Sequence, residues 1–124
     1  AASVMQQTGA AGVMVGRAGI GQPWLFREIG IRLGYLPFQA APNIAEKVNA
    51  MISHLCEMHS FYGVERGVVL ARKHAGKYMA RLGVSATERA AVNRIFGAEQ
   101  QLDALRRAVL QAQKPLQATL NLAA

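Results

Sequence analysis

The sequence is poor in cysteine, in acidic residues and in long apolar runs. Cys56 is the one cysteine among 124 residues, so no internal disulfide can form. With only His54, His59 and His74 beside it, no zinc-ligand spacing is recognisable. No apolar run approaches the roughly 18 residues that a membrane-spanning helix needs, so no membrane partner is expected. The N-terminal stretch Ala1-Ala2-Ser3-Val4-Met5-Gln6-Gln7 has neither the basic region nor the apolar core of a signal peptide. Without a secretion signal, a reducing cytoplasm is the expected location. Ala1 in place of an initiating Met fits a piece cut from a longer chain, and N-terminal processing would give the same. There is no internal repeat or low-complexity tract. Glu46 and Glu88 have no acidic partner at a catalytic spacing and read as helix caps.

What the chain does have is apolar residues, 52% of the total, and positive charge, with 14 Lys and Arg against 7 acids. The charge is concentrated. Arg66, Arg72, Lys73, Lys77, Arg81, Arg89 and Arg94 face a single acid, Glu88, within less than a quarter of the chain. That stretch carries almost the whole net charge of +7. A field of this kind suits a polyanion such as nucleic acid; a solvated helical face is the other reading of the charge alone.

Residues 1–8 read as the end of a helix, followed by a turn at Gly9-Ala10-Ala11-Gly12. Val13-Met14-Val15 reads as a short buried strand of a parallel sheet, ending at Gly16-Arg17. Another helix is expected to start at Trp24. Gly34, Pro37 and Pro42 mark a linker, and everything beyond it reads as helical. Asn43 to Glu46 and Ser85 to Glu88 are capping-box patterns. One helix is predicted to about Tyr62 with Gly63 as its C-cap, and a second over about Glu65–Leu82. A third opens after Ser85. A fourth runs from about Ala98 to Lys114 and stops at Pro115, leaving residues 115–124 as a fraying tail.

The second helix of this group is the most informative. At about 100° per residue, Val68, Ala71, Ala75, Tyr78, Met79 and Leu82 fall on one side. Arg66, Lys73, Lys77 and Arg81 fall on the other, with His74 at the flank. Such a row can neutralise successive phosphates while the apolar face stays docked. Arg72 lies nearer the packing face, where an internal ion pair or a helix cap competes with RNA contact. His54 and His59 read as core or boundary residues, and Cys56 as a packing residue in mid-helix.

A strand ending in Gly16-Arg17 suits an anion. Glycine admits a close approach to the backbone, the N–H groups of the next turn point outward, and arginine adds a forked donor. Barrel enzymes often bind phosphate at such strand ends. The longer string is more specific. Gly9-Ala10-Ala11-Gly12-Val13-Met14-Val15-Gly16-Arg17-Ala18, then Gly21-Gln22-Pro23-Trp24-Leu25-Phe26, closely resembles the final strand and turn of the tRNA-dihydrouridine synthases, most of all the bacterial B-type branch. His59-Ser60-Phe61-Tyr62-Gly63, Ala71-Arg72-Lys73-His74 and Tyr78 are similar to that family's C-terminal domain. The resemblance covers roughly residues 1–112. It departs at Ala11, where the family usually carries an acid.

The resemblance implies an α/β fold class: the last strand and helix of a (β/α)8 TIM barrel in residues 1–40, then an all-α bundle in residues 43–114, with the chain mostly helical. It implies FMN, held through its phosphate by Gly16 and Arg17, and NADPH as reductant. It implies tRNA as partner, with Arg66, Lys73, Lys77 and Arg81 toward its backbone, and reduction of the uridine C5–C6 bond to dihydrouridine in a monomeric full-length enzyme. The family's catalytic cysteine has no counterpart here, since Cys56 lies in the helical part. This chain by itself is therefore expected to be inactive. A stand-alone helical RNA-binding module without catalysis is the alternative. A different flavin barrel with a protein-binding helical tail comes third, because it leaves the Arg66–Arg94 charge without a role.

Overall fold

The computed structural model describes the backbone of residues 1–122 and the side chains of residues 1–114. Six α-helices follow one another: α1 (Ala2–Thr8), α2 (Trp24–Arg32), α3 (Ile44–Tyr62), α4 (Val64–Arg81), α5 (Ala86–Val92) and α6 (Ala98–Leu122), with a 3-10 turn at Arg17–Gly19 between the first two.

The ends of these helices follow from side-chain chemistry. The Asn43 side chain accepts the Glu46 backbone N–H at 3.0 Å, and the Glu46 carboxylate returns the bond to the Asn43 N–H at 2.7 Å. Ser85 and Glu88 repeat the arrangement at the start of α5. Each box satisfies donors that a helix start leaves free. Gly63, at φ 78° and ψ 154°, is the whole connection between α3 and α4.

The core lies where α3, α4 and α6 meet. α3 contributes Val48, Met51 and Leu55, α4 contributes Val68, Ala71, Ala75, Tyr78 and Met79, and α6 contributes Leu105, Ala108 and Val109. On each helix these residues recur three and four apart, the spacing of one face. Small residues let α4 approach α3 closely. A Cβ at Gly67 would lie 2.7 Å from the His59 Cα and 2.9 Å from the Met58 carbonyl oxygen, so only glycine fits that crossing. At the same level the Gln101 side chain, fully buried on α6, accepts from His59 Nε2 at 2.9 Å and donates to the Val68 carbonyl at 3.2 Å. One carboxamide thereby ties all three helices.

Three expectations are corrected. Val13-Met14-Val15 is not a buried strand. No strand forms among the described residues, Met14 is 96% exposed, and Val13 and Val15 are only half-buried. A parallel strand exists only through hydrogen-bonding neighbours on its flanks, and the described residues supply none. The α/β class is thus absent from the described residues, which are mainly helical. Among residues 1–40, Gly21 alone is buried.

Pro115 does not end the last helix, which runs on to Leu122. Proline's restricted φ of about −65° lies in the helical range, so a proline weakens or bends a helix without always ending it. Of the expected tail, Ala123 and Ala124 lie outside the described residues. Cys56, expected to pack, is exposed on the outer side of α3. It follows the buried Leu55 by one position, and about 100° of rotation carries it off the core face.

Candidate nucleic-acid interface

Gly16 and Arg17 open the 3-10 turn, whose Gly19 N–H bonds back to the Gly16 carbonyl at 3.1 Å. Arg17 is exposed, and among the described residues neither its side chain nor the N–H groups of Arg17 and Ala18 have a hydrogen-bond partner. Two free amides beside a free guanidinium form a donor set that fits a phosphate. Gly16 faces open space, with nothing within 4 Å of an added Cβ. Phe26 supports the turn from beneath: a Cβ at Gly19 would lie 2.8 Å from its ring.

The turn is fastened to α4. Gly21 has a φ of 77°, and a Cβ there would stand 2.6 Å from the Lys77 carbonyl carbon and 2.8 Å from the Tyr78 nitrogen. Trp24 follows onto the same place. Its ring centroid is 6.3 Å from that of Tyr78, and Lys47 Nζ lies 5.5 Å over its face. Trp24 thereby packs against the helical core.

Arg66, Lys73, Lys77 and Arg81 are all exposed. They fall within about 80° of one another around α4 and span about 22 Å along it. None makes a salt bridge among the described residues, where Arg107 with Asp103 on α6 is the pair formed, at 3.4 Å. Four unpaired cations in a row on a well-packed helix are a surface for an extended anion.

Other basic residues of the same stretch have structural roles. Arg72 donates to the Ile95 carbonyl at 3.4 Å and lies 4.6 Å from the Phe96 ring, which secures the connection between α5 and α6. Its partner is a carbonyl, not an acid. Arg89 caps the Val84 carbonyl at 2.6 Å. His54 and Tyr78 share a hydrogen bond of 3.1 Å, and the His54 ring meets His74 edge to face at 5.1 Å. Burial, then the neighbouring His54 and Lys73, push the His74 imidazole below its ordinary 6.5. Burial raises the Tyr78 phenol.

Sequence reasoning missed two of these anchors. Gly21 stands in the string that resembles the family, but nothing local marks it as a contact to α4. Gln101 is a polar residue in an amphipathic helix, and only the partners waiting inside the core distinguish it from a surface glutamine. His59 was placed in the core or at its boundary without a partner; Gln101 is that partner.

Comparison with known proteins gives the family. A profile of the family described as Dihydrouridine synthase (Dus) matches residues 1–114. The chain belongs to this family. It is 43% identical over 109 residues to the tRNA-dihydrouridine synthase B of Pseudomonas aeruginosa, covering 86% of this chain and 32% of that protein. It is 37% identical over 102 residues to the Pasteurella multocida protein of the same name, and 41% identical over 102 residues to that of Xanthomonas axonopodis pv. citri. Each of those two matches covers 82% of this chain and 31% of the relative. The chain thus spans about a third of the length of the dihydrouridine synthases it matches. No helix among the described residues is long and apolar enough to cross a membrane.

Proposed function

We propose that these residues serve as the C-terminal, substrate-holding part of a tRNA-dihydrouridine synthase. Residues 1–40 belong to the end of its barrel and residues 43–114 to its tRNA-docking domain. Gly16 and Arg17 grip the phosphate of FMN, and Arg66, Lys73, Lys77 and Arg81 take the tRNA backbone. FMN, once bound and reduced by NADPH, would supply hydride to one carbon of the uridine C5–C6 bond, and an acid outside these residues would supply the proton to the other. This chain's residues supply position: Arg17 and the free amides of its turn orient the phosphate, and the row on α4 fixes where the RNA lies. The target base must leave its stack to reach a flavin, so a firm grip on the flanking backbone offsets part of that cost. The catalytic thiol is not Cys56, which sits on α3 away from the Gly16–Arg17 turn in sequence and element.

One observation carries this reading. The phosphate turn is clamped by Gly21 onto α4 at Lys77, within the cationic row itself. Cofactor grip and RNA grip thus share one seam. The test is tRNA binding by the 124-residue chain between about 50 and 200 mM salt. A steep fall in affinity is expected, shallower once Lys73, Lys77 and Arg81 are replaced by alanine. In an intact synthase carrying these residues, Arg17→Ala should release FMN without touching tRNA affinity. Salt-insensitive binding, or FMN retention unaffected by Arg17, would overturn the respective half.

A further inference from the structure

The corner between α3 and α4 carries two aromatic rings that the functions above leave unused. Phe61 is 83% exposed and Tyr62 45%. The rings meet edge to face with centroids 4.9 Å apart, which braces Phe61 while leaving its face open. Beside them is an open groove of about 440 Å³, lined also by His54, Glu57, Met58 and Ser60. Met58 and the rings make it apolar. Glu57 and Ser60 add an acceptor and a hydroxyl.

The groove and the cationic row adjoin. His54 lines the groove and its ring abuts His74 at 5.1 Å, next in sequence to Lys73. Arg66 starts the row one turn beyond the rings, across Gly63. Leu70, 39% exposed, falls within about 40° of Arg66 around α4 and continues the apolar surface between the cations.

We propose that this groove receives one unstacked base of single-stranded RNA, stacked on Phe61, while the phosphates on either side run along the row from Arg66 to Arg81. The proposal rests on the RNA-docking reading above and assigns the base-holding part of that surface. An aromatic face binds any base through its π face, so the contact is tolerant of sequence. Exposed aromatics alone would suit an apolar protein surface equally well. Four cations without acidic partners at the same edge favour the polymer that brings a planar base and a flanking anion together.

The test compares two probes on the 124-residue chain at one salt concentration. One is a single-stranded uridine RNA of roughly ten nucleotides, and the other is a ribose-phosphate oligomer of the same length without bases. Wild type should bind the base-bearing probe about tenfold more tightly. Phe61→Ala should abolish that difference and leave affinity for the baseless probe unchanged, and Phe61→Trp should keep the difference. Lys77→Ala should weaken both probes alike. Because Phe61 is exposed, helical circular dichroism should be the same in all variants. Equal affinity of wild type for the two probes, or a Phe61→Ala variant that still distinguishes them, overturns the groove while the cationic row stands. Binding of neither probe overturns the RNA reading, and the groove with it.

Discussion

Gly21 rests directly on the backbone of α4 at Lys77, with 2.6 Å between the Lys77 carbonyl carbon and the place a Cβ would take. Its positive φ adds a second reason why only glycine serves there. Gly21→Ala should lift the turn from α4 and cost about 1–3 kcal/mol. The sole tryptophan, Trp24, sits in the same seam and reports on it. Its emission should shift to the red while helical circular dichroism persists. An unchanged emission spectrum would show that the seam survives the added methyl.

Gln101 bridges α3, α4 and α6 from a fully buried position. Gln101→Ala leaves His59 Nε2 and the cavity both unfilled, and should destabilise the chain by about 2–4 kcal/mol. Urea unfolding followed by circular dichroism measures this. A midpoint within error of wild type would mean that water replaces the carboxamide.

Arg72 and Arg81 are both basic residues of α4 with opposite expected phenotypes. Arg72→Ala should lower stability by about 1–2 kcal/mol, through the lost bond to Ile95 and the lost contact with Phe96, and leave the salt dependence of RNA binding alone. Arg81→Ala should leave stability unchanged and reduce the salt slope by about 1. Thermal melts and binding isotherms on both variants test the pair, and an exchange of the two phenotypes would reverse the division of roles.

His74 should make stability depend on pH. Burial, His54 and Lys73 hold its pKa below the ordinary 6.5, so the folded chain binds fewer protons than the unfolded one as pH falls through that range. Stability from this group is complete above 6.5 and is lost as pH drops toward the lowered folded value. His74→Gln should flatten the dependence of the urea midpoint as pH falls below 6.5. A slope equal to that of wild type would place the proton uptake elsewhere.

Much of this architecture could be read from residue patterns. Both capping boxes, the glycine at the α3–α4 junction and the two faces of α4 depend on residues within one turn of each other, and such local rules hold whatever surrounds them. Features that depend on distant partners were harder to read. Val13–Val15 has the composition of a buried strand, but a strand needs neighbours that composition cannot supply. Cys56 has the apolar character of a packing residue, and its angle around α3 overrides that. Pro115 reads as a stop because local rules weigh proline's missing donor more than the helical φ that its ring permits. Of the candidate site, the residues on α4 were legible from their spacing. The clamp at Gly21 was not, because it joins positions 21 and 77 across the fold.

The single-residue join at Gly63 has a consequence for how the chain reaches this structure. Loop closure between α3 and α4 costs close to the minimum. Met51, Leu55, Ala71, Ala75 and Tyr78 all lie within one short stretch of sequence, so the hairpin assembles its shared core from local contacts, the kind that form fastest. Docking of Gly21 and Trp24 needs the Lys77–Tyr78 surface to exist beforehand. The connectivity leads us to expect the helical pair to form first, as a template onto which the Arg17–Gly19 turn docks afterwards.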